Sequence, residues 1–297
     1  FDHLGTSTED ALDPNVHAIR RGADDNASGT AAVMELARIF AAHPARRSII
    51  FANFSGEEQG TLGSHYFAEH LPVPVDSIDA MLNFDMVGRL RDDKLIVYGV
   101  ATAKEMSGIV DSANTGQPLA IDPVGDGFGP SDHASFYGKK IPVLHLFTDM
   151  HEDYHRATDV ASKVNVPGEA RVIDYAERVA RAIADRPTRL TYLRSAGPPP
   201  RMSSGPGNGT YFGSIPDMGS SDAPGVKLAG VTAGSPADKA GVQAGDIIVG
   251  FGGKIVKDIY DYTDAIGAHK PGDVVEVIVM RAGSRLALSA TLGKRGS

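Results

Sequence analysis

Four short stretches of the chain gather carboxylates and imidazoles at spacings that permit metal binding or proton transfer. In Gly22-Ala23-Asp24-Asp25-Asn26-Ala27-Ser28-Gly29, two acids precede a small-residue turn and a helical pattern. They either project from a loop braced by that helix or simply complement its dipole. Ser55-Gly56-Glu57-Glu58-Gln59-Gly60 follows the most apolar run of the chain. Adjacent side chains point in different directions, so one glutamate can hold a metal while the other moves a proton, although on an exposed loop the pair would be unremarkable. Asn83-Phe84-Asp85-Met86-Val87-Gly88 ends an apolar run on an acid, and a carboxylate placed there needs a partner. Met150-His151-Glu152-Asp153-Tyr154-His155-Arg156-Ala157-Thr158-Asp159 packs two histidines, a tyrosine and three acids into ten positions. A solvated loop accounts for any one of them; the combination of all four stretches points to a metal site.

The elements that must position these groups read as an α/β layer. Ser48–Phe54, Ala80–Phe84, Leu95–Tyr98 and Ile141–Leu144 are short apolar runs expected to be buried strands. Ala31, Val33, Met34, Leu36, Ala37 and Phe40 recur at helical spacing, as do Val172, Tyr175, Ala176, Val179, Ala180 and Ile183, and Pro187 stops the second pattern. The expected fold is therefore α/β, a mixed central sheet with helices on both faces, joined to a small β-rich domain.

Composition narrows the chemistry. With no cysteine among 297 residues, any transition metal must be held by His and carboxylates, and no disulfide forms. A net charge of −8 repels polyanions, so nucleic acid is not an expected partner. No apolar run is long enough to span a bilayer. Phe1 is not an initiator methionine and no leader pattern follows it, so the chain is expected to be a processed or trimmed product.

Taken in order, the four stretches resemble the co-catalytic zinc exopeptidase family that includes bacterial leucyl aminopeptidases, glutamate carboxypeptidase and glutaminyl cyclases. The resemblance spans most of residues 1–186. It implies two zinc ions bridged by Asp25, the Asp directly before Asn-x-Ser-Gly. Glu58, the second of the glutamate pair, Asp85 and His155 would be the remaining ligands, with Glu57 the general base. Tyr154 is a candidate donor to the oxyanion. The family's first histidine lies in a His-aromatic-Asp-His run; aligned on it, the chain's opening Phe1-Asp2-His3-Leu4-Gly5 makes Asp2 a supporting acid, leaves the ligand to the residue before Phe1, and makes His3 a bystander, with coordination of zinc by His3 itself as the competing reading. Ser131-Asp132-His133-Ala134-Ser135-Phe136 matches a recurring segment, with Asp132 a supporting acid, although a capped helix start reads equally well. Asp149 replaces an expected glycine and Ala157 an expected proline. The implied activity is aminopeptidase cleavage of peptides, with a carboxypeptidase, a glutaminyl cyclase or an inactive peptidase-like binding protein as alternatives, and export to the periplasm or exterior follows from the same resemblance.

From Ser195 to Asn208 the composition turns to Gly, Pro, Ser and Arg, with Pro198-Pro199-Pro200 in its midst. The expected boundaries are a catalytic domain over 1–187, a linker over 188–208 and a second domain over 209–297. In the last, β-rich runs begin at Val226, Asp246 and Val274. Gly234-Ser235-Pro236-Ala237, Ala240-Gly241 and Gly245-Asp246-Ile247-Ile248 follow in the order that resembles the PDZ family. That resemblance places a carboxylate-binding loop at Tyr211, Phe212, Gly213 and Ser214, where backbone amides would cradle a peptide C-terminus. Pro216 would limit the strand edge available to such a peptide.

Overall fold

The computed structural model describes residues 2–8, 10–194, 210–217, 224–257 and 259–294. They fall into two compact units, one of 1–5 with 20–197, the other of 6–19 with 198–297.

In the first unit a four-stranded mixed sheet runs in the order β1 (Met81–Phe84), β4 (Val143–Phe147), β2 (Lys94–Tyr98), β3 (Ala120–Val124). β1 lies parallel to β4, β4 antiparallel to β2, and β2 parallel to β3. All five residues of β4 are buried, which requires cover on both faces. Leu144 and Leu146 meet α1 (Gly29–Ala42) and α5 (Val166–Ala184) through Leu36, Phe40, Val172, Ala176 and Val179, with α3 (Met106–Ala113) completing that layer. Fully burying each such side chain is worth about 1.5–3 kcal/mol. His145 points the other way and stacks on His133 of α4 (His133–Tyr137), with α2 (Leu62–Glu69) beyond it. The helix α5 starts where Asn165 accepts a hydrogen bond from the amide of Gly168, has Pro167 in its first turn, and ends at Ala184, ahead of Pro187.

Two expectations need correction here. The segment 48–54 forms no strand, and Ile50 and Phe51 are 53% and 37% exposed. Its apolar pattern is that of a strand, but a strand also needs a neighbour's backbone. Instead, the segment lines a groove of about 700 Å³ together with residues of β1, Phe67 and Phe136. Residues 188–194, expected to open the linker, are part of the first unit: Leu190 N donates to Asp79 Oδ1 at 2.8 Å, Leu193 N donates to the Thr102 carbonyl, and Tyr192 bridges Ala103. The rest of the expected linker lies outside the described residues, and β3 adds a strand that the apolar pattern did not reveal.

The second unit is built around a sheet in the order β11 (Ser284–Thr291), β10 (Val274–Arg281), β8 (Ile247–Phe251), β7 (Val226–Val231), β6 (Ser214–Pro216), with β9 (Lys254–Ile255) paired to β8. β12 (Gly293–Lys294) pairs separately with β5 (Thr210–Tyr211). Helices α6 (Pro236–Lys239) and α7 (Ile259–Gly267) complete it, around a core that includes Phe212, Leu228, Phe251, Val277 and Leu292. α6 begins where Ser235 Oγ accepts from the Asp238 amide, as its Gly-Ser-Pro-Ala start implies. Residues 6–19 belong to this unit: Thr232 Oγ1 donates to Asp10 at 3.1 Å, and the Leu12 side chain fills the space a Cβ would take at Gly230. Among the described residues no helix is long and apolar enough to cross a membrane.

One ion pair fixes the β8 end of this unit. Asp246, 1% exposed, accepts from Arg281 Nε and a terminal guanidinium nitrogen at 2.7 Å each, and from the Gln243 amide at 2.9 Å. Burial alone would raise its pKa, but the Arg281 guanidinium and the Gln243 amide outweigh it and hold the carboxyl below its ordinary range. A depressed carboxyl pKa contributes stability above the ordinary value, near about 4, and loses it as pH falls through the folded value. Arg281→Met is expected to destabilise the second unit by about 2–3 kcal/mol at neutral pH, read by urea unfolding. The deficit should shrink on acidification below about pH 4, where the unfolded chain binds its proton.

Candidate metal centre

Asp25 reaches its position through a stretch of backbone stitched to the end of β1. Asn26 Nδ2 donates to the Phe84 carbonyl at 2.9 Å, while Asn26 Oδ1 accepts from the amides of Gly29 and Met86. Ser28 Oγ donates to the Asp24 carbonyl and accepts from the Val87 amide. Glycine is required on either side of this loop. Gly22 has φ +60°, and a Cβ there would sit 1.9 Å from the Asp25 carbonyl oxygen; at Gly29 it would sit 2.2 Å from that of Phe84. The Asp-Asp-Asn-Ala-Ser-Gly run is therefore largely a device for docking one loop against one strand end, which leaves the Asp25 carboxylate free to face the site.

Around Asp25 the chain brings together Glu58, His155 and His3. His155 Nε2 lies 3.4 Å from Asp25 Oδ2 and 3.2 Å from Glu58 Oε2. His3 Nδ1 is hydrogen-bonded to Glu58 Oε1 at 2.8 Å and lies 3.7 Å from Asp25 Oδ2. His3 is thus no bystander. Its ring meets Glu58, 55 residues away in sequence, a contact the alignment had no means of seeing. Asp2 itself is turned away from this cluster: both its oxygens accept from the Gly56 amide at 2.9 Å, fixing the loop that carries the glutamates. Asp85 meets the cluster electrostatically, and its Oδ2 accepts from Ser131 Oγ at 2.7 Å. Behind Ser131 the chain of contacts continues through Asn83 Nδ2 at 2.7 Å to His145 Nδ1 at 3.1 Å. Tyr154 stacks on His155 with ring centroids 3.8 Å apart. Asp132 lies within electrostatic reach of Glu57 and Asp85 rather than touching the cluster.

The protonation pattern is that of a site short of positive charge. Burial, then Glu58, raises Asp25, against the pull of His155 and His3. Burial, then Asp25, raises Asp85 well above the carboxylate range despite its bond from Ser131. Glu57 is also raised well above it, by burial first and then by Asp85, Glu58, Asp25 and Asp132 in turn. Glu58 alone is lowered, because hydrogen bonds from His155 and His3 outweigh its burial. Both histidines are raised: burial opposes their charge, but Glu58 and Asp25 prevail. Tyr154 is pushed well above 10, by burial and then by Asp25, Glu58, Glu57 and Asp85, so it keeps its proton and remains a donor. By contrast His133 falls to about 3 through burial, and stays neutral behind the site.

This donor set fits a metal ion. His3, Asp25 and Glu58 offer ligand atoms within 4.8 Å of one another, close to the breadth of the shell around a single ion, about 4 Å. Nitrogen and carboxylate oxygen without thiolate suit zinc. Several supporting residues escaped the sequence reading. Asp159 Oδ2 accepts from the amides of Asp24 and Asp25, Arg89 bonds Asp159 and Asp153, and His151 Nε2 lies 3.1 Å from Asp24 Oδ2. Asp24 and Asp159 stood in the acid-rich stretches, but only their burial, 0% exposed each, separates them from solvated neighbours. At the position where glycine was expected, Asp149 adopts φ +75° and its own Oδ1 accepts from the Met150 amide, so an aspartate tolerates the left-handed backbone there.

In the second unit, Phe212 is buried, Gly213 has φ +82° and Ser214 opens β6, its hydroxyl bonded to the Tyr262 hydroxyl of α7. Tyr211 ends β5.

Both units resemble known proteins. Residues 204–292 match the PDZ domain. A protein named probable zinc metalloprotease from Pyrenophora tritici-repentis is 42% identical over 92 residues, 31% of this chain and 19% of that protein. Leupeptin-inactivating enzyme 1 from Streptomyces exfoliatus is 36% identical over 145 residues, 48% of this chain and 32% of that protein. The chain thus spans less than a third of the length of either relative. Among solved structures, BSAP, a zinc aminopeptidase from Bacillus subtilis, superposes with a TM-score of 0.50 at 21% identity, covering 59% of this chain and 45% of that one, and so shares the fold. Residues 1–180 match the profile of peptidase family M28, and the chain belongs to that family.

Proposed function

We propose that the first unit is a zinc-dependent aminopeptidase acting through a metal-activated water. The observation that carries this reading is the buried convergence of Asp25, Glu58, His155 and His3, with Asp85 and Glu57 within electrostatic range. Two zinc ions would be held by Asp25, Glu58, Asp85, His155 and His3. When bound, the metal supplies Lewis acidity and lowers the pKa of its water toward about 7.

Glu57 would act as the general base, taking up a proton from the attacking water and returning it to the departing amine. Tyr154 keeps its phenolic proton and donates a hydrogen bond to the oxyanion that develops on the scissile carbonyl. Ser131 orients Asp85 by donating to its Oδ2. Free α-amines are the proposed substrate ends, and the PDZ domain is proposed to receive peptide C-termini at Phe212–Ser214. An exported enzyme working on extracellular peptides fits this reading.

Treatment with EDTA should abolish hydrolysis of dipeptide amides, and added zinc should restore it. The N-acetylated forms of the same substrates should not be cleaved; equal cleavage would exclude an aminopeptidase. Glu57→Gln should retain zinc by metal analysis while kcat falls by roughly 10²–10⁴-fold. Near-parental turnover in that variant would remove Glu57 from the role of base. At the PDZ domain, a peptide with a free C-terminus should bind more tightly than its amide in calorimetric titration, and equal affinity would refute carboxylate capture.

A further inference from the structure

The geometry points to Asp159 as the positioning residue of the metal centre, the group that sets how far Asp25 stands from His155. This rests on the reading of Asp25 and His155 as metal ligands.

Three successive amides converge on Asp159. Those of Asp24 and Asp25 donate to its Oδ2 at 2.9 and 3.1 Å, and that of Ala23 donates to its carbonyl oxygen at 3.4 Å. Successive amides turned toward one anion form a nest, which holds a backbone more firmly than a single bond can. The carboxylate they hold is fully buried. On its other side Asp159 belongs to the turn that carries His155. Its amide bonds the Arg156 carbonyl at 3.1 Å, and the Arg156 amide bonds that of Asp153 at 3.0 Å. One side chain therefore ties the loop bearing Asp25 to the turn bearing His155, whose backbone stands at φ +53°. A left-handed non-glycine residue persists only where its surroundings over-determine it.

The charges around Asp159 are balanced without drawing on the metal centre. Arg89 donates to Asp159 Oδ1 and Asp153 Oδ2 at 3.1 Å each, and Lys163 pairs with Asp153. Two acids thus meet two bases. Asp24 is held separately, its Oδ1 accepting from the Gly88 amide at 2.7 Å and its Oδ2 facing His151. Of the two neighbouring acids, only Asp25 is left to the site.

The test compares Asp159→Ala, Asp159→Asn, Arg89→Met and the double variant Arg89→Met with Asp159→Asn, using Ile109→Val as a core control. Zinc affinity is read by competition with a chromogenic chelator, and amide exchange at residues 23–26 is read on metal-free protein. Asp159→Ala should weaken zinc by about 10–100-fold and speed exchange at Asp24 and Asp25. Asp159→Asn alone sets its amide against Arg89. In the double variant the asparagine oxygen can accept from both backbone amides with no guanidinium left unpaired, and most of the lost affinity should return. Should Asp159→Ala fail to fold, Asp159→Asn and the double variant carry the comparison. Parental zinc affinity and exchange in Asp159→Ala would overturn the proposal. So would a loss of affinity matching that of Ile109→Val at equal loss of Tm. If the parent chain binds no zinc, the metal reading falls, while the exchange experiment still decides whether Asp159 holds the Asp25 loop.

Discussion

Everything in the first unit is arranged around one electrostatic imbalance. Four carboxylates, Asp25, Glu57, Glu58 and Asp85, lie within mutual influence, and the cationic groups placed among them are two imidazoles. Even with both histidines charged, two negative charges remain. Two unit charges 4 Å apart interact by about 4 kcal/mol at an effective dielectric of 20, so such a cluster cannot hold every carboxyl ionised unaided. The upward shifts of Asp25, Glu57 and Asp85 are the fold's response when protons are the only cations available. Divalent ions would answer the same demand and return the ligands to their ionised forms.

Such a site has to be held by bonds that lie outside it. The loop before α1 is fixed through Asn26 and Ser28 to backbone groups at the end of β1, and the glutamate loop is fixed through Asp2 to the Gly56 amide. None of these bonds consumes a ligand oxygen of Asp25 or Glu58. Behind Asp85, the run through Ser131 and Asn83 ends at His145, which burial and the neighbouring His133 keep neutral. A neutral terminus suits that place, because a charge there would add to the imbalance it supports. Met86 and His155, next to or within the proposed ligand set, both adopt positive φ, and the strain is carried by neighbours bonded on each side.

Much of this was legible in the residues, and the exceptions have physical causes. β1, β2, α1 and α5 appear close to where their periodicity placed them, because an apolar run or helical stripe long enough to bury declares its own period. Ser48–Phe54 was as apolar as any of them and is not a strand. Hydropathy reports what a segment would bury, whereas pairing depends on a neighbour that no single segment encodes. β3, Ala120-Ile121-Asp122-Pro123-Val124, went unseen for the opposite reason: an acid and a proline interrupt its pattern, and its pairing to β2 alone makes that tolerable. At the site, spacing marked the acid-bearing stretches, and the family resemblance chose Asp25, Glu58 and Asp85 within them. Spacing alone could not place His3, whose bond to Glu58 joins residues 55 apart, nor distinguish Asp24 from Asp25, which differ by the direction of one side chain.

The second unit shows how far a local motif can be read once its backbone is known. Gly213 stands at φ +82°, and a Cβ there would lie 2.3 Å from that of Ser235, so the loop between β5 and β6 is closed against the start of α6 by the absence of a side chain. Phe212 before it turns into the core and meets Phe251 edge to face, while Ser214 after it reaches Tyr262. The loop is thus pinned on both sides of the one residue that had to be glycine. Its carbonyl accepts from the Thr232 amide at 2.8 Å, which ties it to the end of β7. A rigid loop of this kind loses little entropy when it captures a partner, because its conformation is set before the partner arrives. Pro216 closes β6 after three residues and leaves only a short edge for added strands. On the proposed reading, a peptide bound at this edge would be held mainly by the loop rather than by an extended ladder.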